Sequence, residues 1–529
     1  MKDKLSYKLL MSENEKFSSN IYDMISLERG GVMNLTHEQC YKVIQARDAR
    51  FDGLFFTAVK TTGIYCRPIC KVPVPKTENC TFYDSAEIAE AKGYRPCLRC
   101  RPELAPGFSE FEQSTELIGM MMHYFEKHRY KPGLIGECAD YFGITSRHIS
   151  RLFKDNIGVS PQNFIMTKRL LMAKGLLTDT QLPITDIALI VGFGSVSRFN
   201  AAFKKHYQLT PTNLRKKGSK NMDTIKVKLS YRPPYNWKIM MDFFKMRQIP
   251  GVEWVVDNRY RRTLRIQSDD VIYSGWIEVN PVSEEHLVVL SVSKSLEKVL
   301  FEVIKRVRRA FDLDLIPDQL PTELPKGIRL PGCFDSFEMG TRAILGQQIT
   351  VKAAHTIATR LVKLLGTTIE TPWIELNAHF PSAEELYAIK EPIDGVLGPI
   401  GIIKNRSFSI YALAEAMADG DLTLSSDKNP NDQKSKLLSL KGIGPWTAEY
   451  LTMRGMSWPD AFPVSDIGVK HALTPSLQDD EGDLLLQNKN GLSKYKLNKL
   501  YEIAANDYAE KFKPWRSYLT IALWYSLSE

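Results

Sequence analysis

The sequence lacks any apolar run approaching the roughly 20 residues of a membrane-spanning helix. It also lacks the basic start followed by a short apolar stretch that marks a secretory signal. Low-complexity tracts are absent, and the one internal similarity is between two short helical units described below. These absences argue against an integral membrane protein and an exported one. We therefore expect a cytoplasmic protein that makes no membrane contact.

Cysteine is scarce, with eight residues in a chain of 529, and its distribution is uneven. Four of the eight form two close pairs, and these are Cys66 with Cys70 and Cys97 with Cys100. The others, Cys40, Cys80, Cys138 and Cys333, stand singly. This pattern suits zinc in a reducing compartment better than a disulfide framework. We interpret Cys40 and Cys80 as small buried hydrophobic residues.

Positive charge is also uneven along the chain, whose formal net charge is +9. Between His123 and Lys220 there are 16 Lys and Arg residues against 6 Asp and Glu residues, a local balance of +10, which leaves −1 elsewhere. A confined basic segment is typical of a nucleic-acid-binding module. A solvated basic face is the alternative, and the helical pattern of the segment has to decide between them.

The length predicts several domains, because single cores rarely grow beyond about 250–300 residues. The segments we predict are a leader over 1–32, a cysteine domain over 33–103, a helical domain over 114–217, a mixed α/β subdomain over 224–325 and a helical body over 326–529. The fold class is therefore multidomain and mainly α, with α+β parts. We expect translation to start at Met33, because codons for residues 28–31 (Glu-Arg-Gly-Gly) can carry a purine-rich ribosome-binding sequence.

The paired cysteines can place four thiolates around one tetrahedral Zn²⁺ ion. From spacing alone a purely structural zinc site is the better interpretation, since most four-cysteine sites are structural. The neighbouring arginines, Arg67, Arg95, Arg99 and Arg101, are unusual for such a site. Surroundings this basic predict a polyanion, such as a phosphate backbone, beside a zinc-bound sulfur.

The stretches TGIYCRP and RPCLRCRP, with the residues between and before them, closely resemble the N-terminal zinc domain of the Ada adaptive-response proteins. The resemblance implies one Zn²⁺ held by Cys66, Cys70, Cys97 and Cys100. It also implies that Cys66 accepts a methyl group from a DNA methylphosphotriester. The transfer would be stoichiometric, and it would reduce the formal charge of the centre from −2 to −1, so that affinity for DNA rises.

In LIGECADYFGITSRHISRLFKDNIGVSP the pattern predicts a helix, a turn at Gly143 and a second helix capped by Ser146. A second unit, ITDIALIVGFGSVSRFNAAFKKHYQLTP, turns near residues 192–194. Both resemble AraC-family DNA-binding domains, which implies two recognition helices in successive major-groove segments. The residues expected to face DNA are Arg147, His148 and Arg151 on the first helix and Ser197, Arg198 and Asn200 on the second.

The strongest catalytic pattern is LLSLKGIGPWTAEYLTMRG followed by FPVSDIGVKHAL. Leu440, Gly442 and Gly444 fit a helix–hairpin–helix turn, whose backbone N–H groups bind a DNA phosphate, with a monovalent or other cation as a candidate ligand at the same hairpin. A lone GIG is weak evidence, but Asp466 about 22 residues later strengthens it. Trp446 and Tyr450 lie four residues apart, hence on one face of a helix.

This half resembles AlkA-like alkylpurine DNA glycosylases, through LSYRPPYNW, RLPGCFDSFEMGTRAILGQQIT and KPWRSYLTIALW as well as the hairpin. The resemblance implies an α/β subdomain, an all-helical catalytic body and a nucleotide flipped into an aromatic cleft. It implies that Asp466 is the catalytic carboxylate and that Trp446, Tyr450 and Trp524 form the base pocket. Gln347 and Gln348 fall where the family places the residue that fills the gap in the duplex, but the family's leucine is absent.

Three further absences narrow the activity that the resemblance implies. Position 446 is tryptophan where bifunctional glycosylase/lyases carry a Schiff-base lysine, so a monofunctional glycosylase is expected. No cysteine follows Cys333, which excludes the iron–sulfur cluster of the endonuclease-III-like branch. A PCHRV-type motif is also absent, so reversal of guanine O-methylation is not expected.

The sequence thus predicts a DNA alkylation repair protein of the bacterial cytoplasm, associated with the nucleoid. It would excise alkylated purines such as 3-methyladenine and accept methyl groups on Cys66 to switch on specific DNA binding. The expected partners are alkylated and promoter double-stranded DNA, with RNA polymerase as a further candidate. The alternatives are a transcription activator whose C-terminal half only senses damage, and a cysteine domain that is merely structural.

Overall fold

The computed structural model describes residues 35–107, 117–128, 130, 132–215, 224–268, 271–425, 428–474 and 494–527. The predicted leader and the predicted start at Met33 lie outside these ranges. The described residues fall into two compact units. Unit 1 comprises 35–107, 124–215 and 230–232, and unit 2 comprises the remainder.

Unit 1 begins with a small α/β module. Its helices are α1 (His37–Ala46) and α2 (Ala86–Ala91), and its strands are β1 (Phe56–Val59), β2 (Ile64–Cys66), β3 (Cys80–Tyr83) and β4 (Arg95–Pro96). The sheet order is β3-β1-β2-β4, with β1 antiparallel to β2 and β3 and β2 parallel to β4. Because β2 ends at Cys66 and β4 ends just before Cys97, the sheet brings the two cysteine pairs to one edge.

The core of this module is small. Its buried side chains are Phe56, Ala58, Tyr65, Ala86, Ala89 and Leu171, the last supplied by a helix of the following segment. A core of this size gives limited hydrophobic stabilisation, and small domains of this kind usually add a metal or another cross-link. The module therefore depends on its cysteine cluster and on its packing against the helices that follow.

The helices after the module are α3 (Leu117–Lys127), whose residues 117–123 belong to unit 2, and in unit 1 α4 (Leu134–Phe142), α5 (Ser146–Ile157), α6 (Pro161–Asp179), α7 (Ile184–Ile190), α8 (Val196–Tyr207) and α9 (Pro211–Arg215). Both predicted helix–turn–helix units are present, as α4–α5 and α7–α8. Gly143 makes the first turn with a left-handed φ of 64°, as expected. The predicted cap at Ser146 is wrong. The preceding Thr145 accepts the His148 amide, and Ser146 is already the first helical residue.

Unit 2 opens with a five-stranded sheet of order β5-β9-β8-β7-β6, accompanied by two helices. These elements are β5 (Thr224–Ser230), α10 (Trp237–Arg247), β6 (Glu253–Val256), β7 (Arg259–Ser268), β8 (Val271–Val282), β9 (Leu287–Ser293) and α11 (Leu300–Ala310). The runs TIKVKLSY, TLRIQ, YSGWIEV and HLVVLSV, predicted as strands, are confirmed in β5, β7, β8 and β9, and α11 confirms the predicted amphipathic helix. Helix α10 was not predicted.

The rest of unit 2 is helical, as expected. Its helices are α12 (Ser336–Gly346), α13 (Val351–Leu365), α14 (Ala383–Tyr387), α15 (Ile393–Leu397), α16 (Lys404–Ala418), α17 (Pro430–Ser439), α18 (Pro445–Gly455), α19 (Ile467–Leu473), α20 (Lys494–Glu510) and α21 (Arg516–Ser526). Two apolar cores form, and Tyr450 of α18 packs against both. Among the described residues no helix is both long and apolar enough to span a membrane.

Candidate functional site

The four paired cysteines come together in unit 1. Their sulfur atoms all lie within 4.8 Å of one another. Four thiolates at about 2.3 Å from one Zn²⁺ ion would lie about 3.8 Å apart, so the donor set and its spacing fit a tetrahedral zinc site. The backbone also places them, because the Cys97 amide donates to the Tyr65 carbonyl at 2.9 Å and so joins the second pair to the strand that ends at Cys66.

The four sulfurs differ in their hydrogen bonds. The Arg67 amide donates to Cys100 Sγ at 3.4 Å, and the Arg99 amide donates to Cys97 Sγ at 3.4 Å. In the described part of the chain no hydrogen bond joins a backbone amide to the sulfur of Cys66 or of Cys70. Of the four residues, Cys100 is the most exposed, and Cys66 is 7% exposed.

The arginines around the cluster do not all face outward, which corrects the expectation of a uniformly basic site. Arg67 is buried, and its guanidinium donates to Asp52, at 2.8 Å from Nε to Oδ1. Arg101 is held by Asp179 and Glu103. Asp179 lies 78 residues from Arg101 and Asp52 lies 15 residues from Arg67, whereas Glu103 is only two residues from Arg101. Only the exposed Arg99 and the partly exposed Arg95 remain to face an anion.

The sequence analysis missed Arg47, which donates from Nε to the Cys70 carbonyl at 3.1 Å and so fixes the loop of the first cysteine pair. The interpretation of Cys40 and Cys80 as buried residues is confirmed. Burial and the charge of Asp84 raise the pKa of Cys40 to about 12, so this thiol is protonated and unreactive at neutral pH.

The two recognition helices expose the predicted residues. Their buried faces carry Ile149 and Phe153 on α5 and Phe199, Phe203 and Tyr207 on α8. The opposite faces carry the predicted DNA contacts, namely Arg147, Arg151, Ser197, Arg198 and Asn200, which are exposed, and His148, which is partly exposed. Arg151 contacts the ring of His148 at 3.1 Å. The pattern is that of a helix that packs on one side and leaves the other for a ligand.

In unit 2 the hairpin lies between α17 and α18, as expected. Gly442 has a left-handed φ of 84°, and a Cβ there would lie 1.9 Å from the Ser409 hydroxyl, so the position requires glycine. Gly444 has open space where a Cβ would be, and it precedes α18 directly. Gly442 therefore serves close packing, whereas Gly444 leaves the start of the helix accessible to an anion.

The structure separates the roles of the two glutamines. Gln347 Nε2 donates to the Gly442 carbonyl and to the Thr447 hydroxyl, both at 3.0 Å, so Gln347 braces the hairpin. Gln348 is exposed and has a left-handed φ of 55°, which is uncommon for a residue with a side chain.

Asp466 caps the N-terminus of α19, where its carboxylate accepts three N–H groups. Oδ2 accepts the Trp446 indole at 2.8 Å, while Oδ1 accepts the Trp524 indole at 2.9 Å and the Val469 amide at 3.0 Å. Charge-assisted bonds of this kind fix the orientation of the carboxylate. The three donors come from three different helices, so tertiary packing defines this arrangement.

The predicted pocket residues form one aromatic cluster beside this carboxylate. The rings of Trp446 and Tyr450 are stacked with centres 5.2 Å apart, and the Tyr450 and Trp524 centres lie 6.1 Å apart. All three rings and Asp466 are partly exposed, so the cluster borders solvent. Burial would raise the pKa of the Tyr450 hydroxyl, but the charges of Arg454 and Arg247 outweigh it and the pKa is lowered.

Three further residues of this region escaped the sequence analysis. Gly468 allows the close approach, because a Cβ there would lie 2.9 Å from Trp524 and 3.1 Å from Asp466. Phe243 extends the cluster, with its ring centre 6.3 Å from that of Trp524. Burial raises the pKa of Tyr501 to about 12, and the negative charge of Asp466 is the second cause of this rise. Gly468 is visible in the sequence as the glycine of SDIGVK, but no neighbouring residue in the sequence indicates that Trp524 approaches it.

Four family models match the chain in succession. They are the metal-binding domain of Ada over residues 39–103, a helix–turn–helix domain over 138–217, the AlkA N-terminal domain over 226–335, and the HhH-GPD superfamily of base excision DNA repair proteins over 341–483. With the sites above, they define a DNA glycosylase of the helix–hairpin–helix superfamily joined to a zinc-binding, helix–turn–helix regulator.

The chain is similar to proteins that match nearly all of this series of domains or a part of it. The chain is 33% identical over 509 residues to the probable bifunctional transcriptional activator/DNA repair enzyme AlkA of Mycobacterium tuberculosis, covering 93% of this chain and 96% of that one. It is 30% identical to DNA-3-methyladenine glycosylase 2 of Escherichia coli (56% of this chain, 96% of that one) and 33% identical to the bifunctional activator/repair enzyme AdaA of Bacillus subtilis (34% and 83%). The chain belongs to the family of bifunctional transcriptional activators and DNA repair enzymes.

Proposed function

We propose that this protein excises N-alkylated purines such as 3-methyladenine from double-stranded DNA by hydrolysis of the N-glycosidic bond. The observation that carries the proposal is the Asp466 carboxylate, held by three N–H donors beside an aromatic cluster open to solvent. A cationic base is a good leaving group, so the site needs a fixed anion to stabilise the oxocarbenium-like sugar more than it needs a strong general acid.

The aromatic rings suit the leaving base. Trp446 and Tyr450 present stacked faces, and electron-rich rings attract a cationic purine by cation–π contact. The Trp446 side chain has no amine and cannot form a Schiff base with the sugar. Water therefore completes the reaction at C1′, and the product is an intact abasic site.

The test is base release by the full chain from alkylated duplex DNA, comparing wild type with Asp466→Asn. Asparagine keeps the size of the side chain but removes its charge, and we expect the excision rate to fall at least about 100-fold. Asp460→Asn is a matched control, because Asp460 binds Arg516 away from the cluster. Equal rates for Asp466→Asn and wild type would refute the catalytic role of Asp466, and no base release by wild type would instead favour a C-terminal half that only senses damage.

The Ada-type domain supports a second activity, which is stoichiometric methyl transfer to Cys66. Zinc keeps its coordinated sulfurs deprotonated when bound. Hydrogen bonds from amides draw electron density from a sulfur, and among the described residues they reach Cys97 and Cys100 but not Cys66. The methyl–oxygen bond of the phosphotriester breaks as the sulfur–carbon bond forms, which leaves a phosphodiester anion and a thioether.

Mass spectrometry of the chain after exposure to methylphosphotriester DNA tests this assignment. We expect one added methyl group, carried by Cys66, and none after Cys66→Ser. Methyl on Cys100, the most exposed of the four, would show that access rather than hydrogen bonding selects the acceptor. No methyl on any cysteine would indicate a structural zinc site.

Methylation would reduce the negative charge of the centre and so raise the affinity of unit 1 for DNA. The exposed faces of α5 and α8, with Arg147, Arg151 and Arg198, are then the surfaces that read promoter DNA. An activator of this kind also requires contact with RNA polymerase. The expected measurement is a rise in DNA affinity on methylation that is lost after Arg198→Ala.

The hairpin and Gln348 would hold the duplex during excision. The open start of α18 at Gly444 fits a DNA phosphate, and the Leu440 and Gly442 carbonyls, which each accept one protein N–H, retain a lone pair for a cation. Because Gln347 is engaged by the hairpin, Gln348 is the better candidate to fill the gap left by the flipped nucleotide. Gln348→Ala should therefore weaken binding to abasic-site DNA without the loss of thermal stability expected for Gln347→Ala.

A further inference from the structure

Two cations lie against the aromatic cluster of unit 2, Arg247 and Arg454, and neither has a role in the activity proposed above. The guanidinium carbon of Arg454 lies 4.7 Å from the centre of the Phe243 ring and 5.6 Å from that of Tyr450. The guanidinium carbon of Arg247, the last residue of α10, lies 3.9 Å from the centre of the Phe243 ring and 5.9 Å from that of Trp524. Trp524 is also one of the indoles that donate to Asp466. Arg247 and the carboxylate therefore contact the same ring system.

Arg247 has no counter-charge in the described part of the chain. Its guanidinium donates to the Phe243 carbonyl at 3.5 Å and contacts the Met246 sulfur at 3.7 Å and the Tyr450 hydroxyl. None of these is a carboxylate. Burial lowers the pKa of Arg247 to about 10, which still leaves the group charged at neutral pH.

The neighbouring arginines are bound differently. Arg342 forms ion pairs with Glu253 and Glu338, both at 2.9 Å. Arg454 is buried and donates to two backbone carbonyls and to the Tyr450 hydroxyl. These two are committed to the protein, whereas Arg247 is partly exposed and retains N–H groups that can face a ligand.

Cleavage of the glycosidic bond makes the base more negative by one unit of charge. When the C1′–N bond breaks, its electron pair leaves with the base, so a cationic alkylpurine departs neutral and a neutral purine departs as an anion that then takes a proton from solvent. Water adds to C1′ and releases a proton to solvent. A fixed cation beside the base therefore stabilises an anionic leaving base, has little effect on a neutral one, and repels a cationic base as it enters.

We propose that Arg247 is a specificity-determining residue that extends excision to neutral damaged purines by stabilising the negative charge of the departing base. The inference rests on the proposed glycosylase function and deepens it. Unit charges about 6 Å apart at an effective dielectric constant of about 20 change a rate by roughly 100-fold. With partial exposure to solvent, we expect an effect of about 10- to 100-fold on neutral bases.

The test is single-turnover excision by the full chain from duplexes with one hypoxanthine, a neutral base, or one 7-methylguanine, a cationic base. Arg247→Met keeps the apolar contact with Phe243 and removes the charge, and Arg247→Lys keeps the charge. We expect kcat/KM of Arg247→Met to fall about 10- to 100-fold on hypoxanthine and less than about threefold on 7-methylguanine. On the cationic base kcat and KM should both fall, because the variant no longer repels the bound cationic base, whereas the charge of residue 247 has little effect on the base that departs neutral.

Arg247→Lys should retain most of the hypoxanthine activity. Lys245→Met, an exposed charge loss on the same helix, is the matched control and should match wild type on both bases. If Arg247→Met loses the same excision activity on the two bases, the role of Arg247 is structural and the proposal is wrong. The proposal is also wrong if the variant loses no activity on hypoxanthine, or if wild type does not excise hypoxanthine. Absence of wild-type activity on both bases would instead overturn the glycosylase function itself.

Discussion

The two anionic centres of this protein are held in opposite ways. Asp466 in unit 2 accepts N–H groups from two indoles and one amide, which fix its position. In unit 1 the amide bonds of the described residues go to Cys97 and Cys100, and none of them reaches Cys66. In the proposed function Asp466 acts many times by electrostatics and gains from being held, whereas Cys66 acts once as a nucleophile and gains from an undiminished electron density.

Removal of zinc should produce the largest difference between the two centres. We expect a chelator to abolish methyl uptake by the full chain, from one methyl group per chain to none, because the sulfurs are then free to hold protons. Excision of 7-methylguanine should be unaffected, since Asp466 and the aromatic cluster contain no metal ligand. Parallel assays of methyl uptake and base release measure both. If excision were lost together with zinc, the two centres would not act independently.

The next effect concerns the two indoles that bind Asp466. Trp446→Phe and Trp524→Phe each keep an aromatic ring and remove one N–H donor, and a hydrogen bond to a charged group corresponds to about a tenfold or greater change. We expect single-turnover excision to fall about tenfold in each variant, with methyl uptake unchanged. Trp373→Phe, which alters a ring packed on Trp276, is the control. Wild-type excision rates in both variants would mean that the carboxylate does not need these donors.

A smaller effect is expected at Gly468. A methyl group there would lie 2.9 Å from Trp524 and 3.1 Å from Asp466, so Gly468→Ala must displace one of them by a few tenths of an ångström. We expect excision to fall about three- to tenfold, since shifts of this size matter for catalytic groups. Gly395→Ala, which meets no atom within 4 Å, should retain the wild-type rate. Indistinguishable rates for the two variants would count against close positioning.

The smallest effect contrasts Asp466 with the buried carboxyl of Glu90, in helix α2 of the cysteine module. Burial raises the pKa of Glu90 to about 8, although the Tyr65 and Thr167 hydroxyls donate to it. Since the folded pKa exceeds the unfolded value, the stability from the protonated form is complete below about pH 4.5 and is lost as the pH rises through about 8. Glu90→Gln should therefore match wild type in thermal unfolding at pH 4 and exceed it increasingly as the pH rises, by a few degrees at pH 8.5. A variant less stable than wild type at both values would contradict this.

The sequence predicted the elements whose signals are local. The strands of unit 2, the glycine turn at Gly143 and the shared face of Trp446 and Tyr450 follow from alternation, turn chemistry and helical spacing. The close cysteine pairs likewise indicated a metal cluster. The prediction of the helix cap was wrong because two adjacent residues, Thr145 and Ser146, are both of a type that caps helices well.

What could not be predicted depends on partners far apart in sequence. Trp524 lies 58 residues from Asp466, and only the packing of α21 against α19 brings the two together. Arg101 is neutralised by Asp179, 78 residues away, so the basic appearance of the cysteine segment overstated its outward charge. Arg247 lies in a helix that the sequence analysis did not predict, and its position on the aromatic cluster had no signal in sequence.

The most direct test of two independent centres is one experiment with two readouts. Wild type, Cys66→Ser and Asp466→Asn are incubated with a duplex that contains one methylphosphotriester and one 7-methylguanine, and base release and the mass of the protein are measured on the same samples. We predict that Asp466→Asn gains one methyl group but releases base at least about 100-fold more slowly, and that Cys66→Ser releases base at the wild-type rate without gaining a methyl group. Base release by Asp466→Asn at the wild-type rate would contradict the account.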